Sequence, residues 1–295
     1  MPPSHLDDGA LTAESLRAWP LPSAPGDDKH DRGTVLVVAG SARTPGAALL
    51  AGLAALRTGA GRLQIATVET SAAALGVALP EALVEAIPPT SSGAPDPVAA
   101  IPVVAGLIAT ADAVLLGPGL EDLNETRTLL AGLLPLAGPQ TVVVLDALAL
   151  PAWASLDRGS IGPMSGRLTF TPNRSEARSL VAEEHAELED GEIAAAAARA
   201  HGAAVTLAGH VAAPNGRRWL AEVAVPGLGM SGSGDVLAGL VAGAAARCHD
   251  PVQAACWATH LHVCAGGRLG RRLGRVGYLA RELLEEIPGL LDEAT

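Results

Sequence analysis

The sequence contains a single lysine, Lys29, and only 2% aromatic residues among its 295. A phosphate-binding loop of the Gly-Lys-Ser/Thr type, a Schiff-base lysine in a buried strand and a lysine general base are therefore excluded, unless Lys29 itself serves. Because rings are scarce, the core must be built from Ala, Val and Leu. Such a composition suits close packing of helices on a sheet.

Cysteines and positive charges are also few. Cys248, Cys256 and Cys264 recur every eighth residue without CxxC spacing, and eight residues are close to two helical turns. We therefore expect three small buried side chains on roughly one helix face, in a reducing cytoplasm. The net charge of −11 would repel the phosphate backbone of a nucleic acid, and the sequence shows no local cluster of basic residues that would offset this charge. A nucleic-acid partner is therefore disfavoured.

No segment has the features of a signal peptide or a membrane span. Residues 1–28 alternate acidic, Pro and Ser residues, and the longest apolar run, 97–111, is shorter than the ~20 residues that a span needs. With 49% hydrophobic residues the chain can bury a large core. We expect a soluble cytoplasmic protein with an N-terminal arm, 1–30, and one α/β domain, 31–295.

Short β-branched runs alternate with Ala/Leu-rich stretches from Gly33 onward, which predicts a parallel sheet with crossover helices. The first unit has a strand at 34–39, a helix from Pro45 to about Arg57 with Thr44 as its predicted N-cap, and a strand at 62–67. Asp250 and Gln253 predict a capping box. Further strands are predicted at 113–116, 141–145, 167–171 and 203–207, with an edge strand at 218–225. Helices are predicted at 10–19, 124–134, 174–182, 192–201, 234–247, 251–268 and 277–286.

In an open parallel sheet, ligands bind beyond the carboxyl ends of the strands. The loops there are 40–44, 117–119, 146–147, 172–173, 208–210 and 232–235. The most informative is Gly232-Ser233-Gly234-Asp235, because glycines let the backbone approach a ligand and a helix start presents N–H groups to an anion. Asp235 would take the proton of a hydroxyl that attacks a bound phosphate. The alternative is a tight loop with an acidic helix start.

Other candidates have two interpretations each. The turn 117–119 either brings backbone amides to a ligand or simply ends a strand. Asp146 either orients a ligand or metal, or caps the next helix. His260 and His262 are separated by one residue and lie on different helix faces, so they cannot both bind one metal ion and are predicted to be packed or surface histidines. No residue is predicted to bind a metal.

Several motifs occur in a characteristic order: KHDRGTVLVVAGS at 29–41, GAALLAGLAALRTGAG at 46–61, LLGPGL at 115–120, LDA at 145–147, FTPNRSEARSL at 170–180, GLGMSGSGDVLAGLVAG at 227–243, and a tail with His262, Ala265, Gly266 and GYLARELLEEIP at 277–288. As a set they resemble the ADP-dependent NAD(P)H-hydrate dehydratase family over nearly the whole chain from about residue 29. The resemblance implies a ribokinase-like, three-layer α/β/α fold with a mostly parallel central sheet.

Members of this family use ADP to phosphorylate the ring hydroxyl of hydrated nicotinamide cofactors and eliminate it as phosphate. The resemblance implies that ADP or ATP is the phosphoryl donor, and phosphoryl transfer normally requires Mg²⁺. The apolar composition, together with the usual assembly of the family, predicts a homo-oligomer. Asp235 would be the base at the NAD(P)H hydrate, in a pocket with Gly46, Ala47, Gly119 and Asn173. The nucleotide phosphates would contact Ala208, Gly209, His210, Gly232, Ser233 and Gly234.

The chain departs from the family pattern inside the predicted site. TPHPGE becomes TPNRSE, so Asn173 replaces a histidine; a Lys-Gly pair becomes Ala208-Gly209; LDADAL becomes LDALAL, so Leu148 replaces an acid; and TGGTGD shortens to SGSGD. Arg43, Arg174 and His210 are the candidates to replace the missing positive charge. Two alternatives stay open: a ribokinase-like kinase of a small molecule such as a vitamin precursor, and a non-catalytic nucleotide-binding relative.

Overall fold

The computed structural model describes residues 9–22, 29–157, 159, 164–185, 187–221 and 225–295. Within these ranges, ten strands form one sheet. They are β1 (Gly9–Ala10), β2 (Thr34–Val38), β3 (Arg62–Val68), β4 (Ala82–Ile87), β5 (Ala113–Leu116), β6 (Val142–Leu145), β7 (Leu168–Phe170), β8 (Ala203–Leu207), β9 (His210–Ala212) and β10 (Arg218–Leu220).

The sheet order is β1-β10-β9-β8-β7-β6-β5-β2-β3-β4. Strands β8 to β4 in that order are parallel, and β9 runs antiparallel to both of its neighbours. The chain passes from β2 to β3 and β4 on one side, then returns to β5 on the other side of β2. The strand order therefore reverses between β2 and β5.

Helices cover both faces of the sheet. They are α1 (Ala13–Arg17), α2 (Pro45–Arg57), α3 (Glu69–Ala78), α4 (Pro97–Ile108), α5 (Leu123–Leu133), α6 (Ala149–Ala154), α7 (Arg174–Ser179), α8 (Asp190–His201), α9 (Ser233–Cys248), α10 (Pro251–Arg272) and α11 (Ala280–Ala294). One core cluster lies between the sheet and α1, α2, α9, α10 and α11, and the other lies beneath α4, α5, α6 and α8. The predicted three-layer α/β/α fold is confirmed.

The central strands are continuous apolar runs because both of their faces are buried. In β2, Val35 and Val37 belong to the first core cluster, whereas Leu36 and Val38 belong to the second. This two-sided burial is typical of parallel strands that are covered by helices on both faces. It is the reason that the predicted strands 113–116 and 203–207 match β5 and β8 to the residue.

Small residues bring α9 against α2. A Cβ atom on Gly239 would lie 2.2 Å from the carbonyl oxygen of Ala51, and one on Gly243 would lie 2.5 Å from that of Ala55. The two helix backbones therefore touch, which only glycine permits. This contact holds α9 in a fixed position over the sheet. The core is built mainly from Ala, Val and Leu as expected, but the expectation that rings take no part in it is wrong, because all six Trp, Phe and Tyr side chains are buried.

The structure also contains elements that the sequence patterns did not predict. Strands β1, β4 and β9 and helices α3, α4 and α6 are new. Of the edge strand predicted at 218–225, the structure shows only β10, Arg218–Leu220. β10 is not the edge of the sheet, because β1 pairs with its outer side. Residues 222–224 lie outside the described residues.

Residues 9–22 of the predicted N-terminal arm pack as part of the domain. β1 pairs with β10, and Leu11, Leu16 and Trp19 are buried in the first core cluster. Among the helices of the described ranges, none is long and apolar enough to cross a membrane.

The three cysteines do not lie on one helix, so that prediction is wrong. His249 adopts a left-handed conformation, with φ of 51°, and ends α9 directly after Cys248. Cys256 and Cys264 belong to α10, and of the three only Cys256 is fully buried. The repeat of eight residues therefore crosses a helix boundary that residue spacing does not reveal.

The predicted capping box at the start of α10 is half right. The side chain of Asp250 accepts hydrogen bonds from the amides of Val252 and Gln253. The side chain of Gln253 does not reach back, because its amide donates to the carbonyl oxygens of Trp19 and Pro20 instead. That contact ties α10 to the segment that follows α1.

Candidate functional site

The loops after β2 and β5 lie at the point where the strand order reverses, which is where ligands bind in sheets of this kind. The amide of Gly40 donates to the carbonyl oxygen of Pro118 at 2.8 Å. Thr44 precedes α2 as predicted, but its hydroxyl donates to the carbonyl oxygen of Gly119 at 2.7 Å and caps nothing. The hydroxyl of Ser41 donates to Glu121 at 2.7 Å. These bonds hold the two loops together.

A cavity of about 410 Å³ lies between these loops and the start of α9; we call it the switch-point cavity. It is lined by Thr44, Gly46, Ala47, Leu50, Gly119, Ser231, Gly232 and Asp235. Gly119 has φ of 68°, and a Cβ atom there would lie 2.8 Å from the carbonyl oxygen of Thr44. The turn 117–119 therefore requires glycine for close backbone approach, and it contributes directly to a cavity.

A second cavity of about 410 Å³ lies on the other side of the start of α9, next to the turn between β8 and β9; we call it the hairpin cavity. Ala208 and Gly209 form that turn with φ of 49° and 88°, the positive values of a tight two-residue hairpin. The cavity is lined by Thr171, Pro172, Asn173, Arg174, Thr206, Leu207, Ala208, Gly209, Val225, Leu228, Gly229, Ser233, Gly234, Leu237, Thr259, His262 and Val263.

The first turn of α9 separates the two cavities. Gly232 precedes the helix with φ of 87°, and a Cβ atom there would lie 2.7 Å from the side chain of Leu50. Gly232 and Asp235 line the switch-point cavity, whereas Ser233 and Gly234 line the hairpin cavity. The positive end of the helix dipole thus lies at the wall between the cavities, where it favours an anion, although the amide of Ser233 already donates to the carbonyl oxygen of Met230.

His262 on α10 holds this turn in place. Its Nε2 lies 3.1 Å from the carbonyl oxygen of Ser233 and 3.0 Å from the hydroxyl of the same residue. A carbonyl oxygen only accepts, so Nε2 carries the hydrogen. Burial lowers the pKa of His262 to about 4, which keeps the ring neutral at pH 7. His262 and His260 are both buried, which confirms that they are packed histidines.

Two carboxyl groups near the start of α9 have raised pKa values. Burial raises the pKa of Asp235 to about 6. Burial, together with the charges of Glu176 and Asp235, raises the pKa of Asp146 to about 7, although Thr171 donates a hydrogen bond of 2.7 Å to it. Both carboxyl groups therefore titrate near neutral pH.

Asp146 does not cap the following helix, so that alternative is wrong. Helix α6 begins after Leu148, which makes no side-chain capping bond. The carboxyl group of Asp146 instead accepts from Thr171 on the loop after β7. The backbone of Gly117 lies close to the backbone of Asp146, since a Cβ atom on Gly117 would lie 1.9 Å from the carbonyl oxygen of Asp146.

The structure places two predicted residues differently from the sequence analysis. Asn173 lies at the hairpin cavity, apart from Gly46, Ala47 and Gly119, and its side-chain oxygen accepts from the amide of Glu176 to cap α7. His210 lines a third cavity of about 480 Å³ at the far edge of the sheet. It is the first residue of β9, and its ring faces Gly191 of α8, so it does not join the other predicted phosphate contacts.

The three candidates to replace the missing positive charge lie in different places. Arg43 is exposed, and its Nε lies 3.6 Å from Glu121 at the rim of the β2 loop. His210 is at the sheet edge. Arg174 lines the hairpin cavity together with Ala208, Ser233 and Gly234.

The described residues contain no group of three or more His, Cys, Asp or Glu side chains that could hold a metal ion. Sequence spacing missed His262 and Ser231 as parts of the site. The only sequence signal for His262 was its place in the family-like tail.

Comparisons with known proteins identify the family of this chain. The family model for NAD(P)H-hydrate dehydratase matches residues 35–289. The chain is 43% identical to an ADP-dependent (S)-NAD(P)H-hydrate dehydratase of Xanthomonas campestris, and the match covers 96% of each chain. It is 34% identical to a bifunctional NAD(P)H-hydrate repair enzyme of Salinibacter ruber over 99% of this chain and 56% of that one. The chain thus spans about half the length of this bifunctional relative.

Solved structures give the same result. The ADP/ATP-dependent NAD(P)H-hydrate dehydratase of Bacillus subtilis, co-crystallised with ATP and Mg²⁺, is 26% identical with a TM-score of 0.78, over 98% of this chain and 100% of that one. A ribokinase-like superfamily protein of Enterococcus faecalis has a TM-score of 0.82 at 20% identity, over 98% of each chain, which shows the fold alone. On the family model and the full-length relative together, the chain belongs to the NAD(P)H-hydrate dehydratase family.

Proposed function

We propose that this protein repairs hydrated NAD(P)H by ADP-dependent dehydration, and that the first turn of α9 is where the phosphoryl group is transferred. One observation carries the assignment of the site. Asp235 and Gly234 are consecutive residues, yet they line two different cavities on either side of one helix N-terminus. A hydroxyl in one cavity and a phosphate in the other would meet at that turn.

The hydrated dinucleotide occupies the switch-point cavity in this proposal. Gly46, Ala47, Gly119 and Asp235 all line it. The nucleotide occupies the hairpin cavity, where the amide of Gly234 binds its phosphates, and Ser233, Ala208 and Gly209 line the same cavity. Each volume of about 410 Å³ lies within the range of small-molecule sites.

Asp235 acts as the general base. It takes the proton of the ring hydroxyl, whose oxygen attacks the terminal phosphorus of ADP, and the phosphorus–oxygen bond to AMP breaks. The carbon–oxygen bond of the phosphorylated ring then breaks and releases phosphate, and a proton leaves the neighbouring ring carbon. The products are NAD(P)H, AMP and phosphate. The raised pKa of Asp235, about 6, suits a base that must be ionised near pH 7 yet accept a proton.

Mg²⁺ would enter with the nucleotide and neutralise charge on its phosphates. Asp146 lines neither cavity, and its carboxyl group accepts a hydrogen bond from Thr171. Neutral His262 keeps the amides of the helix start oriented through its bond to Ser233. The side-chain amide of Asn173 is proposed for the nucleotide side of the site, because it lines the hairpin cavity.

The protein is further proposed to be a cytoplasmic homo-oligomer. Its three cysteines are free thiols, which suits a reducing compartment. Val77 and Val98 are large apolar side chains that are 84% and 77% exposed, and a second copy would cover such residues.

The test is incubation with NADH hydrate and ADP, ATP or no nucleotide, followed by the absorbance of reduced nicotinamide and by phosphate release. We expect absorbance to return only with nucleotide. Asp235→Asn should bind ADP as the parent does but should not turn over. A phosphorylated product that persists without any gain in absorbance would identify a kinase instead, and equal turnover by Asp235→Asn would remove Asp235 from the mechanism.

A further inference from the structure

Three carboxyl groups lie near the first turn of α9, although none of them lines the hairpin cavity itself. Asp146, Glu176 and Asp235 lie close enough that the charges of the last two raise the pKa of the first. A nucleotide diphosphate is itself a polyanion, so its phosphates would be repelled by these carboxylates unless a cation lies nearby. The helix amides offset only part of this repulsion, because a helix N-terminus corresponds to about half of one positive charge.

Among the described residues that line the hairpin cavity, Arg174 is the one with a permanent positive charge. His262 also lines it but is neutral, because burial lowers its pKa to about 4. Arg174 is the first residue of α7, and Asn173 and Glu176 form a complete capping box there. The guanidinium group is therefore attached to a fixed backbone at the cavity wall.

The guanidinium group is already oriented. Its Nε donates to Asp190 at 2.7 Å, and Nη2 donates to the other oxygen of the same carboxylate. This bidentate pair occupies one edge of the planar group. The N–H groups of Nη1 are left to donate to another anion, so Asp190 positions the arginine without using up its donors.

We infer that Arg174 binds the phosphates of the nucleotide in the hairpin cavity and supplies the charge that Ala208 cannot. The inference rests on the proposed function, since it assumes that the nucleotide occupies this cavity. Arg174 contacts only the diphosphate of ADP in this proposal and does not contact the adenosine part.

The experiment compares the binding of ADP and adenosine, measured by isothermal titration calorimetry, to the parent protein, Arg174→Gln, Arg174→Lys and Arg178→Gln. Arg178 is the matched control because it lies exposed on the same short helix and does not line the cavity. We expect Arg174→Gln to raise the Kd for ADP about tenfold or more, since a charge-assisted hydrogen bond is lost, and to leave the Kd for adenosine unchanged. Arg178→Gln should match the parent for both ligands.

Arg174→Lys should fall between the parent and Arg174→Gln, because lysine keeps the charge but lacks the planar donor group. It also keeps the proposal testable if the glutamine variant fails to fold. Unchanged ADP binding by Arg174→Gln, or an equal loss of ADP and adenosine binding, would overturn the assignment to Arg174 and leave the proposed function standing. A parent protein that binds no ADP at all would instead overturn the proposed function.

Discussion

Substitution of Gly234 by alanine should make the protein more stable and less active at the same time. Gly234 is in the first turn of α9 and lines the hairpin cavity. A Cβ atom built there meets no heavy atom within 4 Å, so the methyl group strains nothing in the protein. It extends instead into the open space in front of the helix, where the proposal puts a phosphate group.

The gain in stability follows from helix propensity. Alanine is more favourable than glycine in a helix by about 0.5–1 kcal/mol. For a chain of this size such a gain raises the melting temperature by about 1–3 °C. Binding should change in the opposite direction. Hydrogen bonds to a charged group contribute about 1.5–3 kcal/mol each, so the loss of even one weakens ADP binding about tenfold or more.

Gly106→Ala is the matched control for this variant. Gly106 also lies within a helix, α4, and a Cβ atom there also meets nothing within 4 Å, but the residue lines neither of the two cavities. Melting temperatures are measured without ligand, and ADP binding is measured by titration calorimetry. Both variants should gain stability, and only Gly234→Ala should lose ADP affinity and turnover.

Two results would refute this reasoning. If Gly234→Ala binds ADP and turns over as Gly106→Ala does, the amides at the start of α9 do not hold the nucleotide phosphates. If Gly234→Ala melts well below the parent, the methyl group meets protein atoms after all, and any loss of binding then reflects damage to the fold.

Three further predictions test the rest of the site. Gly46→Ala adds a methyl group at the switch-point cavity, where it has no neighbour within 4 Å. Steady-state kinetics should show a higher KM for the hydrate. A lower ADP affinity in calorimetry would contradict the proposal that this cavity holds the hydrate and the hairpin cavity holds the nucleotide. Because Asp235 has a pKa of about 6 and must be ionised, kcat/KM should fall as the pH drops through 6, and a profile that stays flat to pH 5 would exclude it as the base. The folded pKa of Asp146, about 7, exceeds its ordinary value of 3.8, so its burial costs stability that grows as the pH rises from about 4 to 7. Asp146→Asn should therefore raise the free energy of unfolding in urea by about 2–4 kcal/mol at pH 8, with a gain that shrinks toward pH 4; an equal gain at both pH values would contradict the raised pKa.

Much of the sheet could be predicted from the sequence because its central strands are buried on both faces. Continuous runs such as 113–116 and 203–207 carry that information locally. The edge of the sheet could not be predicted in the same way. β4 has an irregular exposure pattern and contains Glu85, so neither a continuous apolar run nor strict alternation marks it. β1 is only two residues long and exists through its pairing with β10.

The helix start at Gly232-Ser233-Gly234-Asp235 could also be predicted, since glycine content and an acidic first turn are local properties of the chain. The partners of that turn could not. His262 and Ser233 are 29 residues apart and meet only because α10 packs beside α9. Likewise, the raised pKa values of Asp146 and Asp235 arise from burial, which depends on everything that surrounds them.

The sequence by itself determined the alternation of strands and helices, the loops that carry glycine and polar residues, and the glycine-rich, acidic start of α9, because each depends on residues that are neighbours along the chain. Only the tertiary structure decided that Asn173 and Arg174 line the hairpin cavity and that His210 lies at the far edge of the sheet. The physical reason is that these positions are set by strand order and helix packing, which join residues that no local pattern relates.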